Sequence, residues 1–203
     1  MVAPPSPFTA AEIILPADTP LYRVHDNTRA ANEFNPGFGA PTRFAFFGDP
    51  TVPVLYAAET EDAAICETLL HSVPFTGGVL RPRSYESRVA SKLLVTRPLR
   101  LAALLGTGLR TLGVPASEVT ETEADRYPET VKWAEAAHAA GFDGVVYMSR
   151  RCNSDRVYAL FGDRVHEPDL RIQTDYGRVF AVADDRDWLI DYCAPLHVDV
   201  LIL

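Results

Sequence analysis

The chain has 203 residues, of which 47% are hydrophobic and 23% are charged, a balance typical of a globular protein rather than a disordered or fibrous one. Its formal net charge of −8 disfavours a general binder of nucleic-acid backbones, and its three cysteines, Cys66, Cys152 and Cys193, form no CxxC pattern and predict no disulfide framework. Because it lacks a signal-peptide pattern and any run of about 18 apolar residues, the sequence predicts a cytoplasmic protein.

The first third of the chain predicts short strands and one helix. Residues 1–19 are rich in proline and are predicted to form an extended arm. LYRVH (21–25) alternates as a strand, and a loop rich in Asn, Pro and Gly then leads into another predicted strand at TRFAFF (42–47). VPVLYAAET (52–60) predicts a strand that runs into a helix at TEDAAICETLLHS (60–72), with Thr60 as its N-cap and Glu67 at the margin of its apolar arc.

The rest of the chain adds strands and at least one strong helix. SKLLVTRPLRLAALLG (91–106) predicts a strand followed by a short helix that ends at Gly106 and Gly108, and PETVKWAEAAHAAG (128–141) predicts a helix with Gly141 as its stop. The stretch 141–164 is read as strand, polar loop and strand, with Ser149 at the end of the first strand. In the tail, RVFAVA (178–183) and VDVLIL (198–203) are predicted strands around an acidic turn, ADDRDW (183–188). The pattern predicts a compact α+β domain.

The absence of several well-known motifs argues against several common enzyme chemistries. The chain contains no GxGxxG opening a helix, no GxxxxGK[ST], no HExxH and no GxSxG, and its five histidines lack metal-ligand spacing. What remains is a set of polar residues at the ends of predicted elements: Arg23, Arg43, Tyr56, Glu67 and Ser149. Taken singly, each has an ordinary explanation: a solvated or ion-paired arginine, a core tyrosine, a helix-margin carboxylate that pairs with His71, and a serine that opens a loop.

The local sequences around these residues resemble the RES domain family, named for its arginine, glutamate and serine. The blocks that carry the resemblance are LYRVH, FNPGFGAPTRFAFF, VPVLYAAETEDAAICETLLH, WAEAAHAAGFDGVVYMSRR and VYALFGDR, which together span about residues 20–165. By motif, the family's residues correspond to Arg23, Arg43, Tyr56, Glu67 and Ser149. Ser154 competes for the serine position, and Ser149 is favoured because it directly follows the DGVVY strand.

The resemblance implies a fold similar to the ADP-ribosyltransferase toxins, with two small sheets flanking an NAD-binding cleft and a few surrounding helices. It implies a single RES domain over residues 20–203. It also implies the toxin of a type II toxin–antitoxin pair that consumes NAD+, by hydrolysis or phosphorolysis, with NAD+ as a substrate and no cofactor required. The implied partner is an Xre-like helix-turn-helix antitoxin that blocks the cleft, and the toxin is expected to be a homodimer with no direct contact to nucleic acid or membrane.

The chemistry of NAD+ suits these residue types. Two arginines can hold a pyrophosphate through charge-assisted hydrogen bonds. Nicotinamide leaves as a neutral group, so a single carboxylate, Glu67, can serve where ordinary glycosidases need two. Tyr56 would stack on nicotinamide or ribose, and Ser149 would contact the substrate or orient Glu67.

The acceptor stays open at this level. Water, inorganic phosphate and a protein side chain share the same first step, and Arg150, Arg151 and Arg156 are candidates for a phosphate subsite or for a surface charge cluster. The alternatives are an ADP-ribosyltransferase that modifies a host protein and, in another class, a non-catalytic NAD-binding module.

Overall fold

The computed structural model describes residues 2–202, so Met1 of the predicted arm and Leu203 of the last predicted strand lie outside the described residues. The described chain contains ten strands: β1 (Glu12–Leu15), β2 (Pro20–Asp26), β3 (Val54–Ala58), β4 (Gly78–Leu80), β5 (Arg88–Val95), β6 (Leu99–Leu104), β7 (Gly144–Met148), β8 (Arg156–Phe161), β9 (Leu170–Val179) and β10 (Val198–Val200). It contains six α-helices: α1 (Glu61–Thr68), α2 (Pro82–Tyr85), α3 (Thr107–Thr111), α4 (Ala116–Val119), α5 (Tyr127–Ala139) and α6 (Ala183–Cys193). The predicted α+β class is confirmed.

Eight strands form one sheet in the order β1-β6-β7-β8-β3-β2-β5-β9, and β10 pairs with β4 in a second, two-stranded sheet. In the large sheet, β6 and β7 are parallel and all other neighbouring strands are antiparallel. In the small sheet, β4 and β10 are parallel. Both faces of the large sheet are covered, because alternate residues of β3 enter different hydrophobic clusters: Val54 and Ala58 enter one, and Leu55 and Ala57 enter the other. Tyr56 therefore lies on the face of Val54 and Ala58.

The two helices predicted around the site region are confirmed, and their ends follow known capping rules. The Thr60 side chain accepts a hydrogen bond from the backbone N–H of Ala63, which satisfies one of the free donors of α1. Helix α5 has Pro128 in its first turn, and Gly141 follows it with φ of +88°, a left-handed conformation that glycine adopts without strain. The fully buried Trp133 fixes the face that α5 packs on the core.

The proline-rich N-terminal segment runs along the surface. Its Phe8 ring packs edge-on against Trp133 and Phe142, and residues Glu12–Leu15 pair with β6 as an edge strand of the large sheet. No helix of the described chain is both long enough and apolar enough to cross a membrane.

Three predicted elements are wrong, and a fourth is displaced along the chain. TRFAFF is not a strand: only an isolated bridge joins Thr42 to Ala45, and the apolar residues of this loop, including Phe44 and Phe47, are buried by packing rather than by sheet pairing. The segment RLAALLG, predicted as a helix, contains the strand β6 instead. Residues Leu101–Leu104 are buried on both faces of the sheet, so the sequence shows no apolar–polar alternation by which a strand could be told from a helix.

The tail contains the third error. ADDRDW is not a turn but the start of α6. Asp184 and Asp185 lie in the first turn, where their negative charges interact favourably with the positive end of the helix dipole. The strand predicted at RVFAVA lies earlier, at Leu170–Val179, because β9 is an edge strand with mostly exposed residues and so lacks an apolar pattern. The last predicted strand is confirmed in part, as β10.

Candidate functional site

A cavity of about 620 Å³ opens where β2, β3 and α1 meet the loop between β2 and β3. Cavities of about 300–1,000 Å³ are the usual size for small-molecule sites. Four of the five candidate residues, Arg23, Arg43, Tyr56 and Glu67, line this cavity. Ser149 lies directly behind its wall, in contact with Glu67.

Glu67 lies near the end of α1, and its carboxylate is held by a neighbouring loop. Its Oε1 accepts a hydrogen bond of 2.6 Å from Ser149 Oγ and a longer one of 3.4 Å from the backbone N–H of Arg151. Within residues 2–202, Glu67 Oε2 has no hydrogen-bond partner. The geometry therefore fixes one carboxylate oxygen and leaves the other available at a cavity wall.

Ser149 is fully buried, and the loop that follows β7 determines its orientation. Its Oγ accepts a hydrogen bond of 2.9 Å from the backbone N–H of Cys152, so its own proton is directed to Glu67. The competing Ser154 donates instead to Asp155 Oδ2 at 2.6 Å, away from Glu67. Of the two serines, the structure brings Ser149 to the candidate carboxylate.

Arg23 reaches the cavity from β2. Its Nη1 donates to the carbonyl oxygens of Ala31, at 2.6 Å, and Glu33, at 2.8 Å. Burial lowers the pKa of Arg23 to about 10, so the guanidinium still carries its charge at neutral pH. Within the described chain it has no carboxylate at ion-pair distance, and its Nε and Nη2 donate no hydrogen bond to protein. The Glu33 charge acts on Arg23 only from beyond ion-pair distance, so this largely enclosed cation with unused donors is suited to an anionic ligand.

Arg43 is more deeply enclosed, with 6% of its surface exposed. Its Nη1 donates to Thr122 Oγ1, and its guanidinium lies 5.2 Å from the centroid of the Tyr127 ring. Its carbonyl oxygen accepts a 2.6 Å hydrogen bond from Thr130 Oγ1. These contacts tie the loop of Arg43 to α5 and the segment before it, so Arg43 has a structural role besides lining the cavity.

The Tyr56 hydroxyl anchors the same loop. It accepts a 2.9 Å hydrogen bond from the backbone N–H of Phe44 and lies 3.0 Å from Thr42 Oγ1. Burial raises the pKa of Tyr56 to about 12, so the phenol is neutral at physiological pH. The ring lines the cavity while the hydroxyl holds the loop, which suits Tyr56 to contact by its ring face rather than to proton transfer.

The cavity has two differently built ends. We call Glu67, Ser149, His71 and Tyr127 the carboxylate end, where the Tyr127 hydroxyl lies 3.4 Å from His71 Nε2. We call Arg23, Arg29, Glu33 and Phe38 the arginine end, where Arg29 pairs with Glu33. Within residues 2–202, no hydrogen bond or ion pair joins the two groups.

Sequence reasoning missed part of the carboxylate end. Tyr127 opens a helix 60 residues beyond Glu67 and carries no local signal, and Cys152 and Arg151 act through backbone N–H groups that any residue supplies. His71 was recognisable from its position one helical turn after Glu67. Burial lowers the pKa of His71, although the Glu67 charge opposes this.

The three arginines considered for a phosphate subsite do not line the cavity. Arg150 pairs with Glu123 and donates to the Thr122 carbonyl at 3.0 Å. Arg151 lies 5.3 Å from the Phe75 ring centroid, and only its backbone reaches Glu67. Among residues 2–202, no three His, Cys, Asp or Glu side chains are grouped so as to hold a metal ion.

Comparison with known proteins shows which family the chain belongs to and which solved fold it is similar to. A family model described as the RES domain matches residues 20–181, which is most of the chain. No curated protein matches it. Among solved structures, it is similar to a chain of the M. tuberculosis MbcT–MbcA toxin–antitoxin complex, with a TM-score of 0.59 and 15% identity over 81% of this chain and 85% of that chain. At this identity, the likeness concerns the fold alone.

Proposed function

The chain belongs to the RES domain family, and from that membership we propose that it is the toxin of a toxin–antitoxin pair that depletes NAD+ by cleaving its nicotinamide–ribose bond. One observation carries the proposal: the 2.6 Å hydrogen bond between Ser149 Oγ and Glu67 Oε1 lies at the wall of a cavity that also contains the unpaired cation of Arg23. An oriented carboxylate and a cation in one cavity match a substrate whose ribose develops positive charge as it reacts and whose linker is anionic.

In the proposed binding mode, the pyrophosphate of NAD+ lies against Arg23. The Nε and Nη2 groups of this side chain are the donors left without a protein partner in the described chain. Charge-assisted hydrogen bonds of a guanidinium to phosphate oxygens are about twice as strong as neutral ones. Arg43 adds positive charge from its buried position, and the Tyr56 ring forms an apolar wall for nicotinamide or ribose.

The proposed reaction breaks the bond between the anomeric carbon of the ribose and the pyridinium nitrogen. The electron pair of that bond passes to the ring nitrogen, so nicotinamide leaves neutral and needs no general acid. Positive charge develops on the ribose, and Glu67 stabilises it electrostatically. Ser149 is a positioning residue in this scheme, because its hydroxyl fixes Glu67 Oε1 and leaves Oε2 for the ribose.

We propose that water or inorganic phosphate completes the reaction. Its oxygen bonds to the anomeric carbon, and the proton that it carried passes to solvent. Arg150 is a poor candidate for a phosphate subsite because Glu123 already neutralises it. Arg151 is also a poor candidate, since its guanidinium lies against the Phe75 ring and only its backbone N–H reaches Glu67.

The proposed partner is a cognate antitoxin whose helix-turn-helix part, of the Xre type, binds DNA and which also covers the cavity. Two observations support this: a structural neighbour of this fold comes from a toxin–antitoxin complex, and the net charge of −8 disfavours direct DNA binding by this chain. We further propose a homodimer of the toxin in that complex and a cytoplasmic location, where NAD+ is found.

The test is to incubate the purified chain with NAD+, with and without inorganic phosphate, and to identify every product by mass spectrometry. Free nicotinamide with ADP-ribose indicates hydrolysis, and phosphorylated ADP-ribose indicates phosphorolysis. We expect Glu67→Gln to lower kcat by about 100-fold or more, the usual effect of removing a group that stabilises transition-state charge. The change keeps the shape of the side chain, so the urea midpoint should change little.

Glu135→Gln is the matched control, because Glu135 is an exposed glutamate of α5 without a hydrogen bond in the described chain. Its kcat should stay within about twofold of the wild type. Full activity of Glu67→Gln would show that the carboxylate is not the central group. Modified protein with little free product would replace the proposal by ADP-ribosyl transfer, and NAD+ binding without nicotinamide release would replace it by a binding module.

A further inference from the structure

Phe38 is an exposed aromatic residue at the wall of the cavity. It lies in the loop between β2 and β3, lines the cavity, and has 65% of its surface exposed. Exposing an aromatic ring to water is unfavourable unless another group covers it. The exposed ring therefore offers a surface on which a flat ligand in the cavity could stack.

The loop that carries Phe38 is held by hydrogen bonds. Asn35 Oδ1 accepts from the backbone N–H groups of Gly37, at 3.1 Å, and Phe38, at 2.8 Å, while Asn35 Nδ2 donates to the Phe38 carbonyl at 2.9 Å. Gly37 and Gly39 flank the ring at φ of +127° and +91°, which other residues rarely adopt. The exposure of the ring is thus a property of a defined loop.

One contact of the ring is cationic. The Arg29 guanidinium lies 5.5 Å from the ring centroid and is fixed by its ion pair with Glu33. An aromatic ring that faces a cation is favourably placed to stack a heteroaromatic base as well. The chemistry of the position therefore favours a planar base over an aliphatic group.

The position of Phe38 among its neighbours indicates which half of NAD+ it contacts. Phe38 connects to Arg23 through Arg29 and Glu33, since Arg23 donates to the Glu33 carbonyl at 2.8 Å. Glu67 belongs to the other end of the cavity, with Ser149. In NAD+, the pyrophosphate separates adenosine from the nicotinamide riboside that reacts.

We propose that Phe38 is the platform on which the adenine ring of NAD+ stacks, and that it makes the site select dinucleotides over mononucleotides. The inference rests on the proposed NAD+ cleavage. Phe38 contributes to binding and not to bond breaking, so its removal acts on KM and spares kcat.

The test compares two substrates that share the same scissile bond: NAD+ and nicotinamide mononucleotide, which lacks the adenosine half. For Phe38→Ala, we expect KM for NAD+ to rise about tenfold, the size of one lost base–aromatic stack. Its kcat for NAD+, and both constants for the mononucleotide, should stay within about twofold of the wild type. Phe38→Trp should restore the KM for NAD+, because a larger ring stacks at least as well.

Phe75→Ala is the matched control. Phe75 is also exposed, at 71%, and also lies near an arginine, with Arg151 at 5.3 Å, but it does not line the cavity. Its KM for NAD+ should match the wild type. Equal losses on both substrates, or no loss on either, would overturn the assignment of Phe38.

A binding experiment separates this inference from the proposed function. Calorimetry with ADP-ribose measures adenine recognition without bond cleavage. If the wild-type chain releases no nicotinamide but binds ADP-ribose in a Phe38-dependent way, the cleavage proposal fails and the adenine platform stands. If nicotinamide is released and Phe38→Ala binds ADP-ribose as the wild type does, the platform fails alone; absence of both release and binding overturns both.

Discussion

The two ends of the cavity differ in how their polar groups are satisfied. At the carboxylate end, Glu67, Ser149 and the backbone of Cys152 form a short hydrogen-bonded series, and one carboxylate oxygen is left over. At the arginine end, the Arg23 guanidinium has two carbonyl partners and no ion-paired carboxylate in the described chain, beside an exposed ring. The carboxylate end is oriented by protein hydrogen bonds before any ligand binds, whereas the arginine end keeps guanidinium donors that only a ligand would use.

This difference indicates a division of labour. Preorganised groups lower the barrier of a reaction because they need not reorient as charge develops, and the carboxylate end has that character. Groups that gain a counterion only on binding contribute to affinity instead, and the arginine end has that character. Substitutions at the two ends should therefore separate into effects on kcat and effects on KM.

After Glu67→Gln, the largest effect in this comparison is expected from Ser149→Ala. The change removes the 2.6 Å hydrogen bond that orients Glu67, and a hydrogen bond to a charged group is worth about 1.5–3 kcal/mol, so kcat should fall about 10- to 100-fold. KM should change little. Steady-state kinetics of nicotinamide release measures both constants.

Ser154→Ala is the control for this variant, because Ser154 donates to Asp155 and not to Glu67. It should keep its kcat within about threefold of the wild type. Similar losses of kcat for both variants would mean that the loop as a whole, rather than the Ser149 hydroxyl, matters.

The next effect is expected from Arg23→Ala. Loss of the charge that faces the pyrophosphate should raise KM for NAD+ about tenfold, with kcat nearly unchanged. Arg83→Ala removes an exposed arginine of α2 without a hydrogen bond or ion pair in the described chain, and its KM should match the wild type. A loss confined to kcat would place Arg23 with the reacting groups and break the proposed division.

The smallest effect concerns stability at acid pH and depends on His25, which lines the same cavity as Arg23. Burial, with the nearby charge of Arg23, lowers the pKa of His25 below its usual 6.5. Its neutral ring is satisfied by Ser91 Oγ at 2.9 Å and the Asp26 carbonyl at 3.0 Å. As the pH falls, His25 is therefore protonated at a higher pH in the unfolded chain than in the folded chain. The contribution of His25 to the free energy of unfolding is present above pH 6.5 and is lost as the pH falls below that value.

Urea unfolding of the wild type and His25→Gln, from about pH 7.5 to about pH 5.5, measures this contribution. We expect the variant to lose less stability over that interval than the wild type does. His197→Asn, which changes an exposed histidine at φ of +57°, should lose as much as the wild type. Equal losses for His25→Gln and the wild type would mean that His25 is not linked to folding through its proton.

The sequence predicted best where local rules decide the structure. Thr60 and its two following acids mark the start of α1, and Gly141 marks the end of α5, because capping depends on residues a few positions apart. The alternation around Tyr56 likewise predicts β3. The fold-family expectation came from the order of several such blocks, and the match over residues 20–181 confirms it.

The sequence predicted least where distant segments decide the structure. Glu67 and Ser149 are 82 residues apart, and nothing in either local sequence shows that their side chains meet. The run of β6 is apolar on both faces and takes its strand form from the neighbours β1 and β7. The sequence did not identify Phe38 as a residue of the cavity, because a Gly-Phe-Gly loop does not show which surface its ring lines.

Tyr56 has a consequence for how inactive variants should be understood. Its ring belongs to the cavity, but its hydroxyl is bonded to Thr42 and Phe44, the two neighbours of Arg43 in the chain. Any substitution that deletes this hydroxyl removes one of the anchors of the Arg43 segment, whose other anchors are Thr122 and Thr130, so one change alters two sites of contact at once. In a double-mutant cycle, Tyr56 and Arg43 should therefore behave as one coupled unit rather than as two independent residues.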